Sequence, residues 1–211
     1  SAPVRAAEDD PQGYVEEGAV SVPRELDSGS GFRLGAYGAG NLARTVSSSA
    51  AEGRNVSLTG NPQLGAGAGL TFGWALSWFS VEGGIAWDRR EQQFAGVWSG
   101  SDYLQFPAIF RIQPLSWFGF GAGGYYGYRF GGRQGSSASG SLVSADEGGM
   151  LSSPHDLGLL LSLRLDVRPG RAWGMFVETR GTMSLMSVDP VPGVQERWEA
   201  IQMLAGLVWY P

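Results

Sequence analysis

The sequence has no cysteine and only one histidine, His155. The first absence excludes a disulfide framework and any thiolate metal site. The second leaves little material for imidazole acid–base or metal chemistry. Long apolar runs are missing too, since none approaches the roughly 18 residues that a membrane-spanning helix requires. Charged residues make up only 17% of the chain, 20 acidic against 15 basic, with no basic run to face a nucleic acid. What the chain does have is 34 glycines, 12% aromatic residues and 8 tryptophans in 211 residues, an unusual mixture for a water-soluble enzyme core. That length fits one sizeable domain.

The stretch DLGLLLSLRLDV, residues 156–167, carries Leu157, Leu159, Leu161, Leu163, Leu165 and Val167 at every second position. Asp156, Gly158, Leu160, Ser162, Arg164 and Asp166 lie between them. Apolar residues recur every three or four positions in an amphipathic helix, so period two predicts a strand with two unlike faces. The same alternation predicts strands at about 31–44, 62–76, 79–93, 101–113, 116–131, 155–168, 172–187 and 196–210. GAGAG from Gly65 falls inside one of them, so it is read as strand and not as a phosphate loop, which would need a following helix.

The connections alternate in length. Ser77, PLS and RPGR are tight, whereas RTVSSSAAEGRNVSLTGN, QFAGVWSGSD, GGRQGSSASGSLVSADEGGMLSS and VDPVPGVQE are long and polar. Short turns at one end and long loops at the other are the pattern of a transmembrane β-barrel, with the turns on the periplasmic side. Trp74, Trp78, Trp117, Trp173 and Trp209 all fall near a short turn or near the end of the chain, which predicts an aromatic girdle at one bilayer interface. Tyr103, Tyr128 and Phe130 are candidates for the other. The expected fold is therefore all-β: an eight-stranded antiparallel up-and-down transmembrane barrel with its hydrocarbon stripe toward lipid. Closure follows because an open strand edge in lipid leaves backbone groups unsatisfied at several kcal/mol each. A soluble barrel of lipocalin type would reverse the faces, but Arg33, Glu82, Arg111, Arg164, Asp166, Glu178 and Arg180 lie opposite the stripe, and charges at that density do not line an apolar ligand cavity.

On these residues a family resemblance appears. SDYLQFPAIFRIQP, with Tyr103, Leu104, Pro107, Ile109 and Arg111, resembles the signature strand of the PorT-like outer-membrane β-barrels, a family of small OmpA-like barrels. FGFGAGGYYGYRF resembles that family's glycine–aromatic strand, HDLGLLLSLRLDV the opening of another, and AIQMLAGLVWY its closing strand. The resemblance covers residues 31–211; Pro211 departs from the aromatic terminus usual for such strands. It implies a bacterial outer-membrane location and an eight-stranded barrel, and it implies no chemistry. The opening SAPVRAAEDD lacks an initiator Met, as a mature protein does once an export signal has been removed.

The interior of an eight-stranded barrel is about filled by its own side chains, so the charged face is expected to form a paired lumen network in preference to a narrow gated pore. Catalytic candidates reduce to His155 with Ser152, Ser153 and Asp156. Adjacent strand residues point to opposite faces, however, so no catalytic triad is expected, and a lipid- or peptide-modifying enzyme is the least favoured class. His155 itself is read as a loop residue facing water. The NVS sequon at Asn55 is treated as a chance match, and SADEGG at 144–149 with Asp102 matches no calcium loop. Neither a cofactor nor a metal is expected. Residues 1–30, with their acidic AEDDPQGYVEE, are read as a solvated periplasmic tether or partner-docking segment. The expected role is that of a structural or interaction protein of the cell envelope. It would contact membrane lipids and lipopolysaccharide, and a protein partner through residues 1–30 or the loop 131–154.

Overall fold

A computed structural model describes residues 31–51, 54–76, 78–94, 97–136, 142–144, 154–167, 172–187 and 194–211. Among the described residues all elements are strands: β1 (Gly31–Ala51), β2 (Arg54–Thr59), β3 (Asn61–Leu76), β4 (Phe79–Phe94), β5 (Val97–Leu115), β6 (Phe118–Ser136), β7 (Leu142–Ser144), β8 (His155–Val167), β9 (Trp173–Ser184) and β10 (Val194–Trp209). Eight of them, β1, β3, β4, β5, β6, β8, β9 and β10, pair antiparallel with their sequence neighbours, and β10 returns to β1 to close the ring. The two short strands extend hairpins beyond it, β2 on β1 and β7 on β6. Closure removes every edge from the ring, which is what lipid demands of a spanning sheet.

The size of the ring follows from its register. A ladder path leaving Arg33 runs through Gly73, Glu82, Ile109, Gly123, Leu160, Thr182 and Ala200 and returns to β1 at Ala43, ten residues further along. Eight strands with this stagger tilt by roughly 40° and enclose a space just wide enough for side chains. The glycines opposite the stripe make that space habitable. A Cβ on Gly206 would lie 2.8 Å from the Phe176 ring, and one on Gly158 would collide with the Tyr125 ring. Each of these lumen aromatics thus rests against bare backbone on a neighbouring strand.

The strands run longer than their alternation suggests. The segments expected as loops after residues 44, 93 and 131 begin as ladder, with Ser48 opposite Ser57, Gln93 opposite Trp98 and Gln134 opposite Val143. Period two fades from the sequence in these segments while the backbone pairing continues. Tyr103 is a correction. It lies at an even spacing from Arg111 and points inward with it, buried to 1% exposure, so it belongs to no girdle.

Candidate functional site

The alternation of each strand sends one set of side chains into the ring, and those side chains form two polar layers. The layer nearer the short turns contains Glu82 (β4), Arg111 (β5), Arg164 and Asp166 (β8), and Glu178 and Arg180 (β9), all buried. Arg111 donates through Nε and Nη2 to the two carboxylate oxygens of Glu82 at 3.2 Å each, and to Oε1 of Glu178 and Oγ of Ser162 at 3.1 Å. Arg164 bonds Asp166 Oδ1 through Nε at 3.0 Å and reaches Glu82 Oε2 through Nη1 at 3.3 Å. Arg180 donates to Glu178 Oε1 at 2.7 Å. Three arginines and three carboxylates therefore interlock across β4, β5, β8 and β9. Arg33, also buried, stands apart from this cluster: it donates to Gln113 Oε1 at 3.2 Å and lies 5.4 Å from the centre of the Tyr210 ring.

Apolar side chains fill the spaces beside these charges, with Tyr37, Ala86, Phe176 and Leu204 in one cluster and Ile109, Tyr125 and Leu160 in another; Phe176 stands opposite Asp166, within the turnward layer. The guanidinium of Arg164 lies 4.0 Å from the Phe176 ring centre, and Arg180 donates through Nη1 to the Tyr37 hydroxyl at 3.4 Å.

The second polar layer, nearer the long loops, is centred on Arg90. Its Nε donates to Asp88 Oδ2 at 2.9 Å and its Nη1 to Asp156 Oδ2 at 2.7 Å. Its guanidinium lies 4.4, 5.5 and 5.7 Å from the ring centres of Tyr103, Tyr125 and Trp198. Asp88 also accepts from Asn41, Gln105 and Gln202, while Asp156 accepts from Tyr125 at 3.0 Å and Ser184 at 2.6 Å. These side chains come from β1, β4, β5, β6, β8, β9 and β10, so the bonds cross the lumen in every direction. Higher still, Gln92 Oε1 accepts from both N and Oγ1 of Thr45 at 2.8 and 2.6 Å. A carboxylate held by two to four donors beside a cation meets the condition under which an ion pair is tolerated at low dielectric. The buried charges of the described residues balance: Arg33, Arg90, Arg111, Arg164 and Arg180 against Glu82, Asp88, Asp156, Asp166 and Glu178.

Six of the seven charges expected in the lumen meet in the turnward layer. The loopward layer was missed. Its signal was present, because Asp88 and Arg90 share the parity of Glu82, but the run DRRE at residues 88–91 charges both faces and hides the alternation. Asp156 carries the lumen parity of Ser162 and Arg164, and the catalytic grouping drew it away from them. That grouping does not form: Asp156 is buried inside, whereas His155 opens β8 on the outer wall, its Nδ1 2.6 Å from the Tyr126 hydroxyl. His155 is thus a strand residue among aromatics and not a loop residue. Ser152 and Ser153 lie outside the described residues, as do residues 1–30 and most of SADEGG. Among the described residues no group of acidic and histidine side chains is arranged to hold a metal.

The outer wall is an apolar band. Trp74, Trp78, Trp117 and Trp173 are more than half exposed at the turn end, and Trp209 stands opposite Trp173 with ring centroids 6.3 Å apart. At the loop end Trp87, Tyr126, Tyr128 and Phe130 face outward, Trp87 Nε1 donating to Asp102 Oδ1 at 3.0 Å. From Trp209 to the outward ion pair of Glu199 with Arg44 is ten residues of β10. At ~3.4 Å per residue and a tilt of roughly 40°, that is a height of about 25 Å, the thickness of an outer-membrane hydrocarbon band. A closed antiparallel ring with this band, short turns and long opposite connections is a transmembrane β-barrel of the bacterial outer membrane.

No family model matches the sequence, and no curated protein does. Among solved structures the chain is similar to Neisserial surface protein A, with 15% identity over 85% of this chain and 97% of that one and a TM-score of 0.46. It is similar to the outer membrane protein OprG from Pseudomonas aeruginosa, with 14% identity, 85% and 95% coverage and a TM-score of 0.46. It is also similar to the outer membrane protease OmpT from Escherichia coli, with 9% identity, 85% and 96% coverage and a TM-score of 0.42. At such identities the likeness is one of architecture alone.

Proposed function

We propose that this protein is a closed, non-conducting and non-enzymatic outer-membrane barrel that serves as a structural or interaction element of the cell envelope, of the PorT-like kind that its glycine–aromatic strands resemble. The observation that carries this reading is the loopward layer, where Asp88, Arg90 and Asp156 tie side chains from seven strands across the lumen. An open pore keeps its charged side chains hydrated and apart, whereas here they bond one another across the lumen. With the interior spent on closure, the surfaces left for function are the outer wall, the long connections and the periplasmic segment. Residues 1–30 then act as a tether or docking segment for a protein partner, and the connection within 131–154 as a second contact surface.

Planar-bilayer recording of the refolded barrel tests the reading. The expected result is no steady conductance. A stable open level that persists in the wild-type protein would overturn the closed barrel in favour of a narrow pore. Cross-linking in membranes followed by capture, compared with a form lacking residues 1–30, tests the docking role: loss of the same captured protein on truncation is the expected outcome.

A further inference from the structure

The outer wall is not uniform. Two hollows lie side by side on it and share Ala122, Leu161 and Gly181. The lower one, about 470 Å³, is walled by Phe110, Ile112, Phe120 and Leu163. The upper one, about 790 Å³, is walled by Leu159, Met183, Ile201 and Leu42, and it ends at Arg44, Glu199 and Pro62. In register, Ala122, Leu161, Gly181, Ile201 and Leu42 stand opposite one another on β6, β8, β9, β10 and β1. The groove therefore follows the hydrogen-bonding direction, which rises with the barrel's stagger from the lower hydrocarbon region to the loopward boundary.

Gly181 forms the floor where the two hollows meet. A Cβ there would have nothing within 4 Å, unlike the lumen glycines that neighbouring rings require. Glycine on the lipid face weakens a strand and contributes no apolar surface, so a bare position in register with Leu161, Ile201 and Leu42 marks the close approach of something else. Gly38 is similarly open, but it faces mid-bilayer away from these hollows and has no charged residue beside it. The Gly181 groove ends at a cation. Arg44 bonds Glu199 through Nε and Nη2 at 3.1 and 2.8 Å, which leaves Nη1 of a half-exposed guanidinium at the level where outer-leaflet headgroups begin.

We infer that this groove is a specific lipid site: it takes an acyl chain of an outer-leaflet glycolipid of the lipid A type, seated over Gly181 with a headgroup phosphate at Arg44. The groove supplies an apolar bed for hydrocarbon, and its only charged end lies at the height of an outer-leaflet phosphate, a group that arginine binds well. The inference rests on the outward face meeting lipid and is independent of whether the lumen conducts.

Native mass spectrometry of the delipidated barrel in detergent tests it, with added lipid A, lipid A stripped of its phosphates, and phosphatidylglycerol. One lipid A per barrel is expected, with the stripped form about tenfold weaker. Arg44→Gln should erase that difference, and Gly181→Leu should weaken both forms by about tenfold or more while leaving heat-dependent gel migration unchanged. Phosphatidylglycerol binding as tightly as lipid A would overturn the glycolipid assignment. Wild-type dimers that Gly181→Leu dissolves would show that a second copy occupies the groove. Lipid A binding unchanged in both variants would overturn the site. If Gly181→Leu does not fold, the Arg44→Gln comparison between the two lipid A forms decides alone. A wild-type barrel stable without detergent would instead refute the membrane reading, a different failure.

Discussion

Replacing Arg90 with methionine removes the one cation shared by Asp88 and Asp156 while keeping an unbranched side chain of similar reach. Both carboxylates stay buried, with side-chain exposures of 3% and 0%, and retain only neutral donors. Stranding a buried charge in this way costs about 3–5 kcal/mol. The lost contacts with Tyr103, Tyr125 and Trp198 add about 0.5–2 kcal/mol. Urea unfolding in detergent, followed by the heat-dependent shift in gel mobility, reads the difference as a lower midpoint. The companion variant Arg90→Met with Asp88→Asn and Asp156→Asn removes charge of both signs, and it should recover most of the loss because no ion is left unpaired. A cost for Arg90→Met below about 1 kcal/mol, the range of a solvated ion pair, would mean that the carboxylates are wet and that the lumen is not closed.

Other perturbations address the remaining parts of the architecture. Glu178→Gln leaves Arg180 with the Tyr37 hydroxyl and Arg111 with Glu82, so destabilisation together with increased leak in bilayer recordings is expected. Leu161→Arg, at 65% exposure on the lipid face, should cost about 2–4 kcal/mol, whereas Ser162→Thr keeps the hydroxyl that accepts from Arg111 and should cost little. Fluorophores on cysteines introduced at these two positions should divide in the same way: lipid-borne quenchers reach the one at 161 and spare the one at 162. The reverse order would invert the barrel. Gly158→Val drives a side chain into the Tyr125 ring and should lower stability by about 1–3 kcal/mol, measured by the same urea titration.

The two faces of every barrel strand were legible in the sequence because alternation is local: the pleat sends Leu161 and Ser162 apart whatever the rest of the chain does. The same locality placed Arg111, Arg164, Glu178 and Arg180 on the inner face. It also misled in places. Residue type suggests an interface for Tyr103, whereas its parity with Arg111 sends it inward. The charged run at residues 88–91 concealed Asp88 and Arg90 because both faces there carry charge.

Parity says nothing about height or about neighbours across the ring. That Glu82 meets Arg111 from β5 and Arg164 from β8, while Arg90 meets Asp156 instead, depends on the ten-residue stagger set when β10 closes on β1. The same stagger lines up Ala122, Leu161, Gly181 and Ile201 beneath Arg44 and Glu199. By itself the sequence determined a membrane barrel with a greasy outside and a charged inside. Only the tertiary structure decided which charges meet and where the wall is notched, because register is a property of pairs of strands and closure a property of all eight at once.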